Sequence, residues 1–405
     1  MKNRILKYIS IPFLLIVFRD YRLFRNPRLW AEEGTIYFRD AYLFGFDKFF
    51  ESALGYYSLL PRLFSYLATF FPIEIVPMVM TLLSLGIWLL PHVLVAISKN
   101  EYLKSFTNKT LCSIVLILTA PSDEIFLNSI SLHFLTPWIL IFISIDDLKH
   151  ISKRLRWIYI GLVWIALLNG ATSIFVLPIY MYFTVSQKEY RLLCVSLLPA
   201  LLQFYFILNY GNQESVYDRF SFDWKDFYPI FYYRTLIGPI FGSVDVPISI
   251  FNRFEIFQSS ECQIGGCVAF VLWLLILTIQ KNRLAFALTA SSLFVCILMY
   301  VSAMGGKFQN PMTGSGRYFY LPNTLYSIGF LFLYFKKTEY IKFPSFLYSI
   351  PLIFLFYSSG SEYFLNSPYC SDCVHWRSEI KHNFPKTKMI HIWPKGWVID
   401  LNKNE

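Results

Sequence analysis

An all-α, polytopic helical membrane protein is the architecture this sequence encodes, and three observations lead to it. Hydrophobic residues make up 56% of the 405 and charged residues 15%, whereas soluble domains carry roughly 25% charge. Mean hydropathy is +0.47. The apolar residues come in blocks of membrane-spanning size separated by short charged punctuation, where a soluble core would have divided into domains.

The blocks fall at 5–18, 73–97, 111–120, 125–145, 157–168, 172–185, 192–209, 264–279, 284–302, 318–335 and 343–356. They predict about eleven crossings, several shorter than the roughly 20 residues of a full span. Segment 5–18 follows Lys2, Arg4 and Lys7 as a signal peptide would, but Arg19-Asp20 and a charged loop come next with no small-residue cleavage site. It is therefore expected to stay as an uncleaved first helix.

Orientation follows from the positive-inside bias. A cytoplasmic N-terminus places Lys99, Lys104, Lys109, Lys149, Lys153, Arg154, Arg156, Lys188, Arg191, Lys281, Arg283, Lys336, Lys337 and Lys342 inside. This parity requires 157–185 to be two short helices turning at Asn169-Gly170. Most of the net charge of +10 then lies on the cytoplasmic rim, where it answers anionic lipid and not nucleic acid.

Residues 1–358 read as one transmembrane domain with outer loops at 19–72, 210–263 and 303–317, and 359–405 as a short extracytoplasmic tail. Aromatic density in the first two loops, as in Phe227-Tyr228 and Phe231-Tyr232-Tyr233, predicts interfacial helices with rings at headgroup depth. In the tail, Cys370 and Cys373 lie near His375, His382 and His391, which admits a zinc site or a disulfide. A lone Cys-x-x-Cys lacks the second pair that zinc spacing needs, so a thiol pair or local disulfide is preferred.

Dinucleotide, P-loop and His-Glu-x-x-His motifs are absent, so no ATP-driven or nucleotide-sugar chemistry on a cytosolic domain is expected. Attention falls instead on the outer face and on the string Arg25-Asn26-Pro27-Arg28-Leu29-Trp30-Ala31-Glu32-Glu33-Gly34. Helical neighbours point about 100° apart, so one of the paired acids can face a cleft while the other binds a metal, an arginine or a helix end. Acids favoured at the N-terminus of an interfacial helix explain the pair equally well.

Trp30-Ala31-Glu32-Glu33-Gly34 is followed by Gly55-Tyr56-Tyr57 and Leu60-Pro61-Arg62. This order resembles bacterial multi-spanning proteins with a Trp-Ala-Glu-Asp-Gly-like motif, then a Gly-Tyr and a Leu-Pro-Arg element, similar to the GT-C superfamily of polyprenyl-phosphate-sugar glycosyltransferases. Glu33 stands where that motif has Asp. Pro121-Ser122-Asp123-Glu124 with Asn128 and His133, Gly316-Arg317-Tyr318 through Pro322, and Trp393-Pro394-Lys395-Gly396-Trp397 extend the resemblance along the chain.

The resemblance implies an inverting sugar transfer at the outer, periplasmic face of a bacterial inner membrane. The donor is a polyprenyl-phosphate-linked sugar and the acceptor a cell-envelope glycan or lipid. Glu33 or Glu32 would be the general base, with Glu33 preferred. Arg317, helped by Arg62 and Lys307, would hold the leaving phosphate, although a lone arginine at a span boundary also serves as a snorkelling cap. Trp30, Tyr57, Glu124, Asn128 and His133 are the expected cleft lining, with Glu124 and Asn128 on one helical face. N-terminal capping accounts for Glu124, and a hydrogen-bonded core role for His133. No organic cofactor is required, and a divalent metal on one acid stays open. An O-antigen-type polymerase and a lipid-linked saccharide transporter are the rival readings; transporters usually carry ionisable residues at the midplane, which the spans here nearly lack.

Overall fold

The computed structural model describes residues 2–119, 122–210, 222–241, 259–279, 282–303, 316–335, 345–365, 369–370 and 373–402. The fold is mostly helical, and each predicted apolar segment is helical in whole or in part. Among the described residues three helices are long and apolar enough to cross a membrane, at Ile73–Ile97, Tyr190–Asn209 and Arg283–Ser302, with shorter apolar helices at Phe106–Leu118, Ile130–Ile145 and Ser260–Leu272. This is the build of a membrane protein.

The helix Pro137–Ile145 is buried along its whole length, as expected for a segment that is hydrophobic all round. It packs against Val76–Ile97, Lys153–Leu167 and Leu177–Ser186, and Trp138 donates its indole N–H to Thr324 Oγ1 of the Arg317–Phe335 helix at 3.0 Å. The predicted helix at 125–145 does not form as one piece. A turn over 123–127 contains Leu127 at φ 49, a short 3-10 helix Ile130–Phe134 follows, and Pro137 opens the regular helix at a position where its missing N–H costs nothing.

One end of the bundle gathers polar loop contacts around Asp146. Its carboxylate accepts from Ser98 Oγ at 3.0 Å, Lys99 N at 2.7 Å and Tyr159 OH at 2.8 Å. Arg156 pairs with Glu189 at 2.9 Å, which brings the start of Lys153–Leu167 beside the end of Leu177–Ser186. Asn169-Gly170, with Gly170 at φ 88, lies at the far end of that helix pair. There Gly170 N donates to Tyr57 O at 2.9 Å and Asn169 Oδ1 accepts Leu60 N at 3.1 Å. The chain therefore reverses at this turn between Lys153–Leu167 and Leu177–Ser186. Ser105, Ser152 and Asn282 cap three helices that start from the Asp146 end.

The helix Ser345–Leu365 runs past the expected boundary at 358. Beyond it the tail holds the strands of an otherwise helical chain: β1 Met389–Ile392 and β2 Trp397–Asp400, antiparallel, with Ile390 opposite Ile399. Alternating apolar residues around Pro394-Lys395-Gly396 account for this hairpin. Cys370 and Cys373 form a disulfide, so the thiols are not available as zinc ligands. The aromatic run in the second loop departs from expectation: Phe227, Phe231, Tyr232 and Tyr233 are buried in a second core with Phe270 and Tyr300. In the first loop Phe46, Phe50 and Phe70 remain exposed, as interfacial rings would be.

Candidate active site

The loop that carries Glu32 and Glu33 is clamped by the tail. Trp393 N donates to Leu29 O at 3.2 Å, and Ala31 N donates back to Trp393 O. Held there, Ala31 adopts φ 44, a conformation costly for a residue with a Cβ. This backbone reversal sends the next two carboxylates to different places. Gly34 leaves no room for a side chain: a Cβ there would lie 2.6 Å from Ile392 Cδ1 and 2.8 Å from Ile399 Cδ1.

Glu33 goes inward and is 1% exposed. Its Oε2 accepts Trp30 N at 3.0 Å and its Oε1 accepts Ser129 N at 2.7 Å. Burial pushes this carboxyl up, against the opposing pull of those two N–H donors and of Arg28. Arg28 is itself buried, which lowers it to about 10; its guanidinium lies 4.3 Å over the Trp30 ring and donates to Phe126 O at 3.3 Å. Glu33, Arg28 and Trp30 thus form the joint between the first loop and segment 122–134.

Glu32 turns instead to a cavity of about 320 Å³. Its polar lining is Glu32, Tyr56, Ser131, His133, Thr172 and Arg317, and its apolar lining includes Phe175, Ile207, Leu298 and Val301. The cavity brings together the first loop, the 3-10 helix, the residues after the Asn169-Gly170 turn and one end of each of the Tyr190–Tyr210, Arg283–Ser302 and Arg317–Phe335 helices.

Arg317 opens its helix at the cavity wall, with Nε 3.8 Å from Glu124 Oε2 and its charge within electrostatic reach of Glu32. His133 Nδ1 lies 2.6 Å from Ile130 O, so Nδ1 carries the proton and Nε2 is the ring's acceptor. The Tyr56 ring lies 5.5 Å from the imidazole. Gly170 permits this arrangement, since a Cβ there would meet His133 Cβ at 2.6 Å.

Of the residues singled out in the sequence, Glu32, His133 and Arg317 meet at the cavity, and Glu124 joins through its ion pair. Asn128 does not share a helical face with Glu124, because 123–127 is a turn; it is buried beneath, donating Nδ2 to Glu124 O at 2.7 Å. Arg62 points elsewhere, paired with Asp40 at 2.6 Å and 5.1 Å from the Tyr37 ring. Tyr57 is buried against Phe206 and donates to Phe49 O at 3.2 Å, while its neighbour Tyr56 takes the cavity wall. Adjacent side chains of extended backbone point opposite ways, and the sequence does not say which ring faces in. Trp30 stacks on Arg28 outside the cavity. Lys307 lies outside the described residues.

Among the described residues no three His, Cys, Asp or Glu side chains come together to hold a metal ion. What the cavity offers is a carboxylate, an imidazole and a guanidinium set among apolar side chains. No protein family, curated protein or solved structure matches this chain.

Proposed function

We propose that this chain is a membrane glycosyltransferase of GT-C type that moves a sugar from a polyprenyl-phosphate donor to a cell-envelope glycan or lipid acceptor. The observation that carries the reading is the shared cavity: Glu32 and Arg317 line one space together with apolar side chains such as Phe175, Ile207, Leu298 and Val301. A lipid-linked phosphate needs a cation for its head and an apolar surface for its chain, and this cavity supplies both.

In this reading Glu32, and not the buried Glu33, is the general base. Its carboxylate takes the proton of the acceptor hydroxyl as that oxygen attacks the anomeric carbon from the face opposite the phosphate. The bond between that carbon and the phosphate oxygen breaks, and polyprenyl phosphate leaves carrying the electron pair. Arg317 meets the developing charge on the leaving phosphate. The product is inverted at the anomeric carbon, and Glu32 returns its proton to water. His133 Nε2 and the Tyr56 ring present an acceptor atom and an apolar face to the sugar.

The same reading sets about eleven crossings in a bacterial inner membrane, with the N-terminus and the Asp146 end cytoplasmic and the cavity periplasmic. The basic loops at the Asp146 end support that orientation. The test is transfer of radiolabelled sugar from polyprenyl phosphate in membranes. Glu32→Gln is expected to abolish most transfer, and a parental rate in Glu32→Gln would remove the mechanism.

A further inference from the structure

Arg317 already faces an anion belonging to its own chain. Its Nε lies 3.8 Å from Glu124 Oε2, and the two side chains are 33% and 31% exposed. The pair therefore sits in a wet rim, where an ion pair is weak and easily exchanged.

Glu124 is fixed there from below. Its carbonyl accepts Asn128 Nδ2 at 2.7 Å and Ser131 Oγ at 3.5 Å, and Asn128 Oδ1 accepts Ser131 N at 2.9 Å. Asn128 is 0% exposed, and the turn it supports is anchored in turn by Ser129 N on Glu33. The backbone under Glu124 is thus rigidly placed while its carboxylate stays accessible beside the guanidinium.

Resting on the reading that Arg317 takes the donor phosphate, we infer that Glu124 is an internal competitor for that phosphate. A carboxylate and a phosphate use the same N–H donors of a guanidinium, so the incoming head group must displace Glu124. A small anion has only its charge with which to do this. A lipid phosphate also buries its chain against Phe175, Ile207, Leu298 and Val301, and that apolar burial offsets the lost ion pair. Glu124 therefore sets an affinity threshold at the site, which a lipid-linked phosphate passes through the burial of its chain while free phosphate at the same concentration does not.

The experiment uses the full-length protein in lipid nanodiscs, with farnesyl phosphate and inorganic phosphate as probes. Glu124→Gln and Glu124→Ala should each bind farnesyl phosphate roughly 2- to 5-fold tighter than the parent, the range an exposed ion pair allows. Inorganic phosphate should gain at least as much. In an Arg317→Gln background the Glu124 substitutions should change nothing. If Arg317→Gln weakens binding but neither Glu124 variant tightens it, the competitor role is overturned while the phosphate clamp stands. A gain that persists without Arg317 also overturns it. If Arg317→Gln binds farnesyl phosphate as the parent does, the underlying assignment of Arg317 fails.

Discussion

Glu33 Oε1 accepts the backbone N–H of Ser129 at 2.7 Å, so a carboxylate of the first loop fixes the segment that delivers His133 and Glu124 to the cavity. The neighbouring Glu32 is free of that duty. Two adjacent acids, alike in sequence, divide into a structural joint and a cavity wall.

Glu33→Gln should destabilise the fold, because the amide nitrogen is a donor set against one of two N–H groups. Leaving a buried donor unsatisfied costs about 1–3 kcal/mol. The parent should also show a pH dependence that this variant lacks. Burial holds the Glu33 carboxyl above its unfolded value, so the folded state keeps that proton longer as pH rises. Its contribution is full below the ordinary carboxylate range and is lost as pH rises through the raised folded value. Melting curves of both proteins across that window check the sign.

Glu32→Gln should leave the melting temperature close to the parent and lower sugar transfer about 10²- to 10⁴-fold, the usual loss for a missing general base. Transfer assays on membranes with matched protein levels decide it. A variant that melts early and transfers sugar normally would exchange the roles of Glu32 and Glu33.

Arg317→Gln should weaken donor binding and slow turnover together, with Lys at 317 restoring part of each, since charge returns without the guanidinium fork. Arg62→Gln should behave differently. It breaks the pair with Asp40 and should cost stability while leaving the donor KM unchanged. Steady-state kinetics on the two variants separate the cavity arginine from the structural one.

Gly34→Ala should loosen the tail, because the new methyl meets Ile392 and Ile399 at 2.6 and 2.8 Å. Overpacking of this kind costs about 1–3 kcal/mol. Limited proteolysis should release the residues after Leu365 faster than in the parent, and Ile392→Val in the same chain should slow that release.

The proposed orientation is open to labelling of intact cells. After mild reduction an impermeant maleimide should reach Cys370 and Cys373, whereas a cysteine replacing the exposed Lys149 should react only after permeabilisation. The opposite pattern would invert the molecule.

Hydropathy made the helices legible, since a run of apolar residues bounded by charge needs no partner to be recognised. The break inside 125–145 was not, because Leu127 at φ 49 and the buried Asn128 answer to the Glu33 contact from a distant part of the chain. The β-hairpin of the tail was missed for lack of weight given to a short alternating pattern. At the site, Arg317 and His133 were legible as polar residues at the edge of apolar segments. The division between Glu32 and Glu33 was not, for it depends on the backbone of Ala31, which Trp393 holds in place. Tyr56 was hidden behind Tyr57 for the same reason of direction.

The strand-like exchange of hydrogen bonds between Trp393 and the Leu29-Ala31 backbone also sets a timetable for biosynthesis. The loop carrying Glu32 leaves the ribosome well before Trp393, which locks its shape. A chain interrupted between Leu365 and Trp393 would keep the helical bundle and yet lack the clasp that aims the carboxylate. The loop that holds Glu32 at the cavity thus takes its final shape only once Trp393 has been made.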